Sequence, residues 1–462
     1  MSASETAPAF ARPEDEAAAW LAAHPETVQI EAFLTDPSGI QRGKILRPSE
    51  LKGAYRDGRP LPCSILSLDT NGEDVEGTGL LWEEGDSDRP CRPVPGTICP
   101  SPWRATPTAQ VILTSFEPDG RPSEADPRHA LVRVVKQLEA MGYFPTVAVE
   151  LEFYLLDPKA AAENRVETAR AENGFRPEKL QAYLMQELSD YAPFLDDLYA
   201  GAEAMGLPAK TLISEYSPGQ LEIVLEHRTD PLRATDDAIL YKRLVKGTAE
   251  RHGHLASFMA KPFAERSGSG MHLHVSLADA QGTNLFAGTE PETNALLLSA
   301  IAGLEASMAD GMAIFAPNAN SYRRFKPNSY APVGPAWAVD NRTVPIRVTS
   351  GPPHTRHLEH RVCGADANPY LALAAVLAGM AEGIEKGMTP SAPIRGNGYE
   401  QIPATLPRHW PEALRRTRGS QMLRRRLGER FMDIFLTIRE TECDRFFAEI
   451  SDRDVAWYMR LV

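Results

Sequence analysis

The 462-residue sequence contains no run of about 18 apolar residues, the minimum for a membrane-spanning helix, so no membrane span is expected. Near the amino terminus no basic stretch precedes an apolar one, so no secretory leader is expected either. Cysteine is scarce: Cys63, Cys91, Cys99, Cys363 and Cys443 are an odd number with no C-x-x-C pair. That excludes a disulfide framework and a cysteine zinc site, and it fits reduced thiols in a cytoplasmic protein. Excess positive charge is also missing. The net charge of −13 argues against a nucleic-acid partner, which would favour a basic face. No internal repeat is found.

What is present reads as an ordinary soluble α+β chain. Residues 1–25, rich in Ala, Pro and Glu, are expected to be a disordered tail. Residues 26–118 are expected to form a small, mostly β domain with long loops. Within it, residues 28–34 alternate as a strand, T-D-P-S-G supplies a turn, and 41–46 return as the second strand of a hairpin. Pro118–Asp126 reads as a linker to a larger domain over 126–462. Asp126 with Pro127, Asp230 with Pro231 and Asn368 with Pro369 are helix starts, each a capping side chain before a proline in the first turn. Helices are also expected over 177–191, 195–206 and 293–312, and the last fifty residues carry helical spacing.

Three stretches carry chemistry. Residues 268–276 read G-S-G-M-H-L-H-V-S. On a strand His272, His274 and Ser276 share one face, and Met271, Leu273 and Val275 the other. Residues 147–155 (V-A-V-E-L-E-F-Y-L) put Glu150 and Glu152 on one face. Residues 213–225 place Glu215 and Glu222 on either side of a Pro-Gly turn. Each pair alone also suits a solvated strand face. Together with Glu359 in H-L-E-H-R they make five carboxylates and an imidazole, a donor set suited to Mg²⁺ or Mn²⁺ rather than zinc. Arg323, Arg324, Arg342 and Arg347 concentrate between residues 318 and 347, and guanidinium suits carboxylate and phosphate.

V-E-L-E-F (149–153), S-P-G-Q-L-E (217–222), G-S-G-M-H-L-H-V-S (268–276), N-S-Y-R-R-F (320–325), Y-A-P-V (330–333), D-N-R-T-V-P-I-R (340–347), L-E-H-R (358–361) and A-N-P-Y (367–370) occur in order. With them the chain resembles the glutamine synthetase family, type I, over essentially its whole length. The resemblance implies an N-terminal β-grasp domain and a larger catalytic domain with a curved antiparallel sheet flanked by helices. It implies a homo-oligomer of two stacked hexameric rings with active sites between subunits. It also implies that ATP phosphorylates the γ-carboxylate of L-glutamate and that a nitrogen nucleophile displaces phosphate.

Carried over position by position, Glu152, Glu215 and Glu222 resemble the ligands of one Mg²⁺ or Mn²⁺. Glu150, His272 and Glu359 resemble those of a second, bridging the ATP phosphates. Gly268, Arg324 and Arg361 resemble glutamate-binding positions, Arg342 and Arg347 a phosphate clamp, and His274 and Ser276, with Arg347, nucleotide contacts. Three positions depart from the family. Ser267 stands where asparagine is usual, and His357 where arginine is. Tyr330 stands where ammonium-using members carry a glutamate. A phenol of ordinary pKa about 10 is neutral at pH 7 and cannot supply that charge, but it offers an aromatic wall to a larger amine. Asp69, in D-T-N-G-E-D, is the candidate for the family's ammonium-site aspartate. The expected activity is therefore a glutamate–amine ligase of polyamine or related amine catabolism. The alternatives are an ammonium-using synthetase with a rewired site and a non-catalytic nitrogen sensor or scaffold.

Overall fold

The computed structural model describes residues 10–83, 85–288 and 290–462. The first nine residues of the expected tail lie outside these. The rest of that expectation does not hold: Pro13–Ala23 is a helix. Pro13 opens it, and the Arg12 N–H donates to Asp15 Oδ2 at 3.2 Å, closing the first turn.

The amino-terminal strands are β1 (Gln29–Thr35), β2 (Gln41–Leu46), β3 (Arg59–Pro62), β4 (Asp88–Pro93), β5 (Cys99–Pro100) and β6 (Thr108–Ser115). They form one mixed sheet in the order β2-β1-β6-β4-β3, with β5 on β6. The expected β1–β2 hairpin is antiparallel, and β1 runs parallel to β6. A helix over Pro48–Asp57, which the sequence reading did not anticipate, covers this sheet through Leu51, Ala54 and Tyr55.

The second sheet carries β7 (Phe144–Leu156), β8 (Ala209–Ser214), β9 (Gln220–Leu225), β10 (Leu255–Ser257), β11 (Met271–Ala278), β12 (Trp337–Val339), β13 (Ile346–Val348) and β14 (Leu358–His360). Its order is β12-β13-β14-β11-β7-β9-β8, with β10 on β7. It is antiparallel except at one edge, where β12 and β13 run parallel. The period-2 reading holds: Val149, Leu151, Phe153, Met271, Leu273 and Val275 are buried in the core. That core packs against helices Pro127–Ala140, Pro231–Arg251 and Pro369–Glu385. Each starts where the Asp-Pro or Asn-Pro pairs placed it, with Asp126, Asp230 and Asn368 accepting backbone N–H groups.

Two helices differ from expectation. Residues 177–184 are not helical and the helix is only Met185–Asp190. Tyr183 has φ of 58° and donates its N–H to the Ser214 carbonyl at 2.9 Å, which draws the chain across to β8. The 293–312 helix is Ala295–Ser307, restarted at Met312–Phe315. Asn294 caps it by accepting the Leu297 N–H at 2.9 Å. No helix of the described residues is long and apolar enough to cross a membrane. All five cysteines are buried as free thiols.

Candidate active site

Strand register does most of the assembly. On β7 and β11, Glu150 pairs directly with His272. On β7 and β9, Glu152 pairs with Glu222. On β11 and β14, His274 pairs with Glu359, and Arg347 on β13 faces Glu359 from the other side. Alternation then points the partners of each pair to the same face. Segments more than 200 residues apart along the chain thereby deliver four carboxylates and two imidazoles to one surface, and Glu215, just past the end of β8, joins them.

The contacts are close. His272 Nδ1 lies 2.6 Å from Glu150 Oε1, and His274 Nε2 lies 3.2 Å from Glu150 Oε2. His272 Nδ1 is 3.7 Å from Glu359 Oε1 and its Nε2 is 4.0 Å from Glu152 Oε1. Arg347 and Arg361 both pair with Glu359. The Gln220 amide donates to Glu152 Oε2 at 3.1 Å and to the Gly268 carbonyl at 3.0 Å, while the Gly270 N–H donates to Glu152 Oε2 at 2.9 Å.

The electrostatics divide the carboxylates into two groups. Burial would raise the Glu150 carboxyl, but the N–H groups of His272 and His274 stabilise its charged form and hold it well below the usual range. Burial is likewise outweighed at Glu359, where Arg361, the histidines and Arg347 hold the carboxyl at about 2. At Glu152 the Gly270 N–H and the Arg324 charge favour the ionised form but are outweighed, and Glu222 has no arginine or histidine partner among the described residues. Burial and then the Glu215 charge push Glu152 up to about 8. Burial and the Glu150 and Glu152 charges push Glu222 up to about 11. Like charges directly opposite on a sheet repel, so this half of the surface calls for either protons or a cation.

The donor geometry fits a cation. One ligand atom from each of Glu150, Glu222 and His272 lies within 4.8 Å of the others, and so do atoms of Glu150, His274 and Glu359. The second grouping brings His274 into contact with the carboxylates, whereas the sequence reading put it only at the nucleotide. Because burial and like charges raise both carboxyls, cation binding at pH 7 is expected to displace protons from Glu152 and Glu222. Calorimetric Mn²⁺ titrations in buffers of different ionisation enthalpy should report proton release, and affinity should strengthen as pH rises through about 8 and beyond. For the protein without cation the sign follows from linkage. Folded Glu152 and Glu222 hold more protons than the unfolded chain above the ordinary 4.5, so their contribution fades as pH rises, that of Glu152 through about 8 and that of Glu222 through about 11.

A cavity of about 460 Å³ opens over this surface. Glu150, Glu152, Glu215, Glu222, His272 and Glu359 all line it. So do Gly268, Arg324, Arg342, Arg347, Arg361 and Tyr330. Tyr330 has φ of 57° and is largely exposed at the rim. Gly268 is required sterically: a Cβ there would stand 2.6 Å from Arg324 Cγ and 2.8 Å from the Ala260 carbonyl oxygen. Both approaches are closer than 3.0 Å, so the Arg324 side chain has to move and the Ala260 backbone has to shift as well. We expect Gly268→Ala to raise KM for an acidic substrate bound by Arg324 by about tenfold or more, with KM for nucleotide little changed. Steady-state kinetics with each substrate varied in turn checks this.

Two candidates lie elsewhere. Ser276 is further along β11, opposite Thr146, and does not line the cavity. Asp69 is buried beside the amino-terminal sheet and does not reach the cavity of its own chain. Its Oδ1 accepts the Asn71 and Glu73 N–H groups, both at 2.9 Å, closing its loop, and its Oδ2 pairs with Arg445 at 2.5 Å. Other lining residues went unnoticed in the sequence. Gln220 sits inside the quoted S-P-G-Q-L-E and could have been found there. Tyr183 and Tyr216 also line the cavity, and no periodicity marks them, because both sit on irregular backbone. His357, noted only as a departure, has Nε2 3.1 Å from His274 Nδ1 and Nδ1 2.8 Å from the Thr355 carbonyl.

A curled sheet bearing a cluster of carboxylates and imidazoles, ringed by arginines, belongs to a ligase of the glutamine synthetase type. The chain belongs to the glutamine synthetase family, whose ligases use ATP and divalent metals: residues 124–458 match the family's description "Glutamine synthetase, catalytic domain". It is 39% identical over 442 residues to gamma-glutamylputrescine synthetase PuuA of Escherichia coli (strain K12), covering 96% of this chain and 93% of the relative. It is 32% identical over 446 residues to glutamate–isopropylamine ligase of a Pseudomonas species, covering 95% of each. Among solved structures it is similar to GmaS without ligand, with a TM-score of 0.83 at 24% identity over 95% of this chain and 98% of that one, a likeness of fold.

Proposed function

We propose that this protein joins the γ-carboxylate of L-glutamate to a primary amine, a polyamine or alkylamine, at the expense of ATP and through γ-glutamyl phosphate. The observation that carries this reading is Tyr330 on the wall of the cavity that holds the acidic cation surface. A phenol stands where a carboxylate would attract ammonium and accept its proton. Tyr183, Tyr216, Ile213 and Val224 extend that wall with aromatic and aliphatic surface, suited to the carbon chain of an amine. The two relatives whose names describe glutamate–amine ligation support it.

In this reading Glu150, Glu152, Glu215, Glu222, His272 and Glu359 would hold Mg²⁺ or Mn²⁺. The cations supply charge neutralisation as the phosphoryl group passes between oxygens. Arg324 and Arg361, beside Gly268, bind the carboxylates of glutamate. Arg342 and Arg347 face the transferred phosphoryl group and stabilise its equatorial oxygens. His274 holds Glu150 in place and meets the nucleotide, with Ser276 beyond it. Tyr330 shields the acyl phosphate from water and orients the amine. The chain is read as an amino-terminal domain over 26–118 and a larger catalytic domain over 126–462.

The chain is proposed to be cytoplasmic and to assemble as two stacked hexameric rings. The exposed side chains of Phe446, Phe447, Ile450, Trp457, Met459, Leu461 and Val462 form an apolar carboxyl-terminal surface that assembly would cover. Deleting residues 450–462 should reduce the mass measured by light scattering.

Phosphate release with ATP, glutamate and a panel of amines, set against ammonium, tests the function. A di- or monoamine should exceed ammonium in kcat/KM by at least about tenfold. Ammonium outperforming every amine would replace this reading with that of an ammonium-using synthetase.

A further inference from the structure

Arg324 ends a short 3₁₀ turn, Ser321–Arg324, and the turn is held from outside the cavity. The Asp366 carboxylate lies just after β14. Its Oδ2 accepts the Ser321 hydroxyl at 2.7 Å and the Asn318 amide at 2.8 Å. Asn318 in turn accepts the Asn320 and Ser321 N–H groups at 3.0 and 3.2 Å through its Oδ1. Both anchors of the turn therefore meet one carboxylate oxygen. The same segment holds the guanidinium, because Arg324 Nη1 donates to the Val362 carbonyl at 3.1 Å.

Residues 361–366 also tie in the other side of the site. Arg361 lines the cavity. Ala365 N–H donates to the Ser269 carbonyl at 3.0 Å, Met271 N–H to the Cys363 carbonyl at 3.0 Å, and Lys242 Nζ to the Ala365 carbonyl at 2.8 Å. Gly364 leaves the room Asp366 needs, since a Cβ there would lie 2.2 Å from Asp366 Oδ1. That Oδ1 is buried with no hydrogen-bond partner among the described residues. Such an atom costs folding free energy, so stability of the segment is a poor reason for a carboxylate at this position.

We propose that Asp366 is a positioning residue for the amino-acid substrate: by gripping Ser321 and Asn318 it sets the Arg324 guanidinium at the distance and angle that glutamate requires. The inference rests on the reading of Arg324 as a glutamate-binding residue. The hydrogen bonds of the Asp366 Oδ2 go to Ser321 and Asn318 and to none of the carboxylates lining the cavity, so their loss should fall mainly on one substrate.

Full-length Asp366→Ala, Asp366→Asn, Ser321→Ala and Arg324→Gln proteins should be compared by steady-state kinetics and thermal unfolding. Asp366→Ala is expected to raise KM for glutamate roughly tenfold, the worth of one to two hydrogen bonds. KM for ATP and kcat should stay within about twofold. Asp366→Asn should recover most of the loss, because its carbonyl can accept both bonds. Ser321→Ala, which keeps the carboxylate, should raise the same KM about threefold and serves if Asp366→Ala does not fold. An unchanged KM for glutamate, an equal rise in both KM values, or an asparagine variant as impaired as the alanine one would overturn the positioning role. If Arg324→Gln raises KM for glutamate while the Asp366 and Ser321 variants do not, this inference falls alone. If Arg324→Gln has no effect, the reading of the glutamate site falls with it.

Discussion

Glu150→Gln is expected to lower kcat by about a thousandfold or more, the scale of losing a principal electrostatic element in phosphoryl transfer. Glu150 is the only side chain common to the two donor groupings, with Glu222 and His272 on one side and His274 and Glu359 on the other. Its carboxylate oxygens are split between the two imidazoles, Oε1 toward His272 and Oε2 toward His274. Glutamine keeps the volume and an acceptor oxygen but removes the charge and offers an amide to one imidazole. The fold should survive, because the side chain lies on the cavity face and the opposite face of β7 carries the core. Phosphate release, thermal unfolding and Mn²⁺ titration on the same preparation read all three properties. Weakened cation binding with an unaltered unfolding temperature is the expected pattern. Activity within tenfold of the parent would sink the reading of this surface as a cation site.

Tyr330→Glu is expected to reverse acceptor preference. The ratio of kcat/KM for the best amine to that for ammonium should fall by about a hundredfold, the range a mismatched polar group imposes on a pocket. A carboxylate at this position faces the same cavity as Arg342 and Arg324, which favour its ionised form. It would attract ammonium and accept the proton the nucleophile must lose. It would also place a charge against the carbon chain of a larger amine. Backbone strain should change little, since residue 330 already takes a positive φ with a side chain present. Competition assays with both acceptors in one reaction, read by mass spectrometry of the amide products, measure the ratio directly. A ratio unmoved by the substitution would assign acceptor choice to Tyr183 or Tyr216 instead.

Much of the chemistry could be read from residue order because strands alternate. Once 147–155 and 271–278 are strands, the faces holding Glu150, Glu152, His272 and His274 follow from a period of two, and the buried Val149, Leu151, Met271 and Leu273 bear this out. Helix starts were legible for an equally local reason: an Asp or Asn before proline satisfies free N–H groups at no cost to the helix. The Pro48–Asp57 helix was missed although Leu51, Ala54 and Tyr55 have helical spacing, because it is only ten residues long and Arg47, not an Asp or Asn, stands before its proline. Tyr183 was assigned to a helix because its departure from one depends on a carbonyl at residue 214.

Asp69 shows the limit most clearly. Its chemistry suited an amine site, yet within the chain its carboxylate closes a loop and pairs with Arg445, 376 residues away. Residue types and spacing alone thus determined which groups share a strand face, where the helices begin and which family's motifs the chain carries. Pairing register decided that Glu150 meets His272 and that Glu152 opposes Glu222, since cross-strand partners are set by long-range hydrogen bonds that no local window contains. The same tertiary contacts put Tyr330 on the cavity wall and Asp366 behind Arg324, because a side chain's neighbours depend on how distant segments close upon one another.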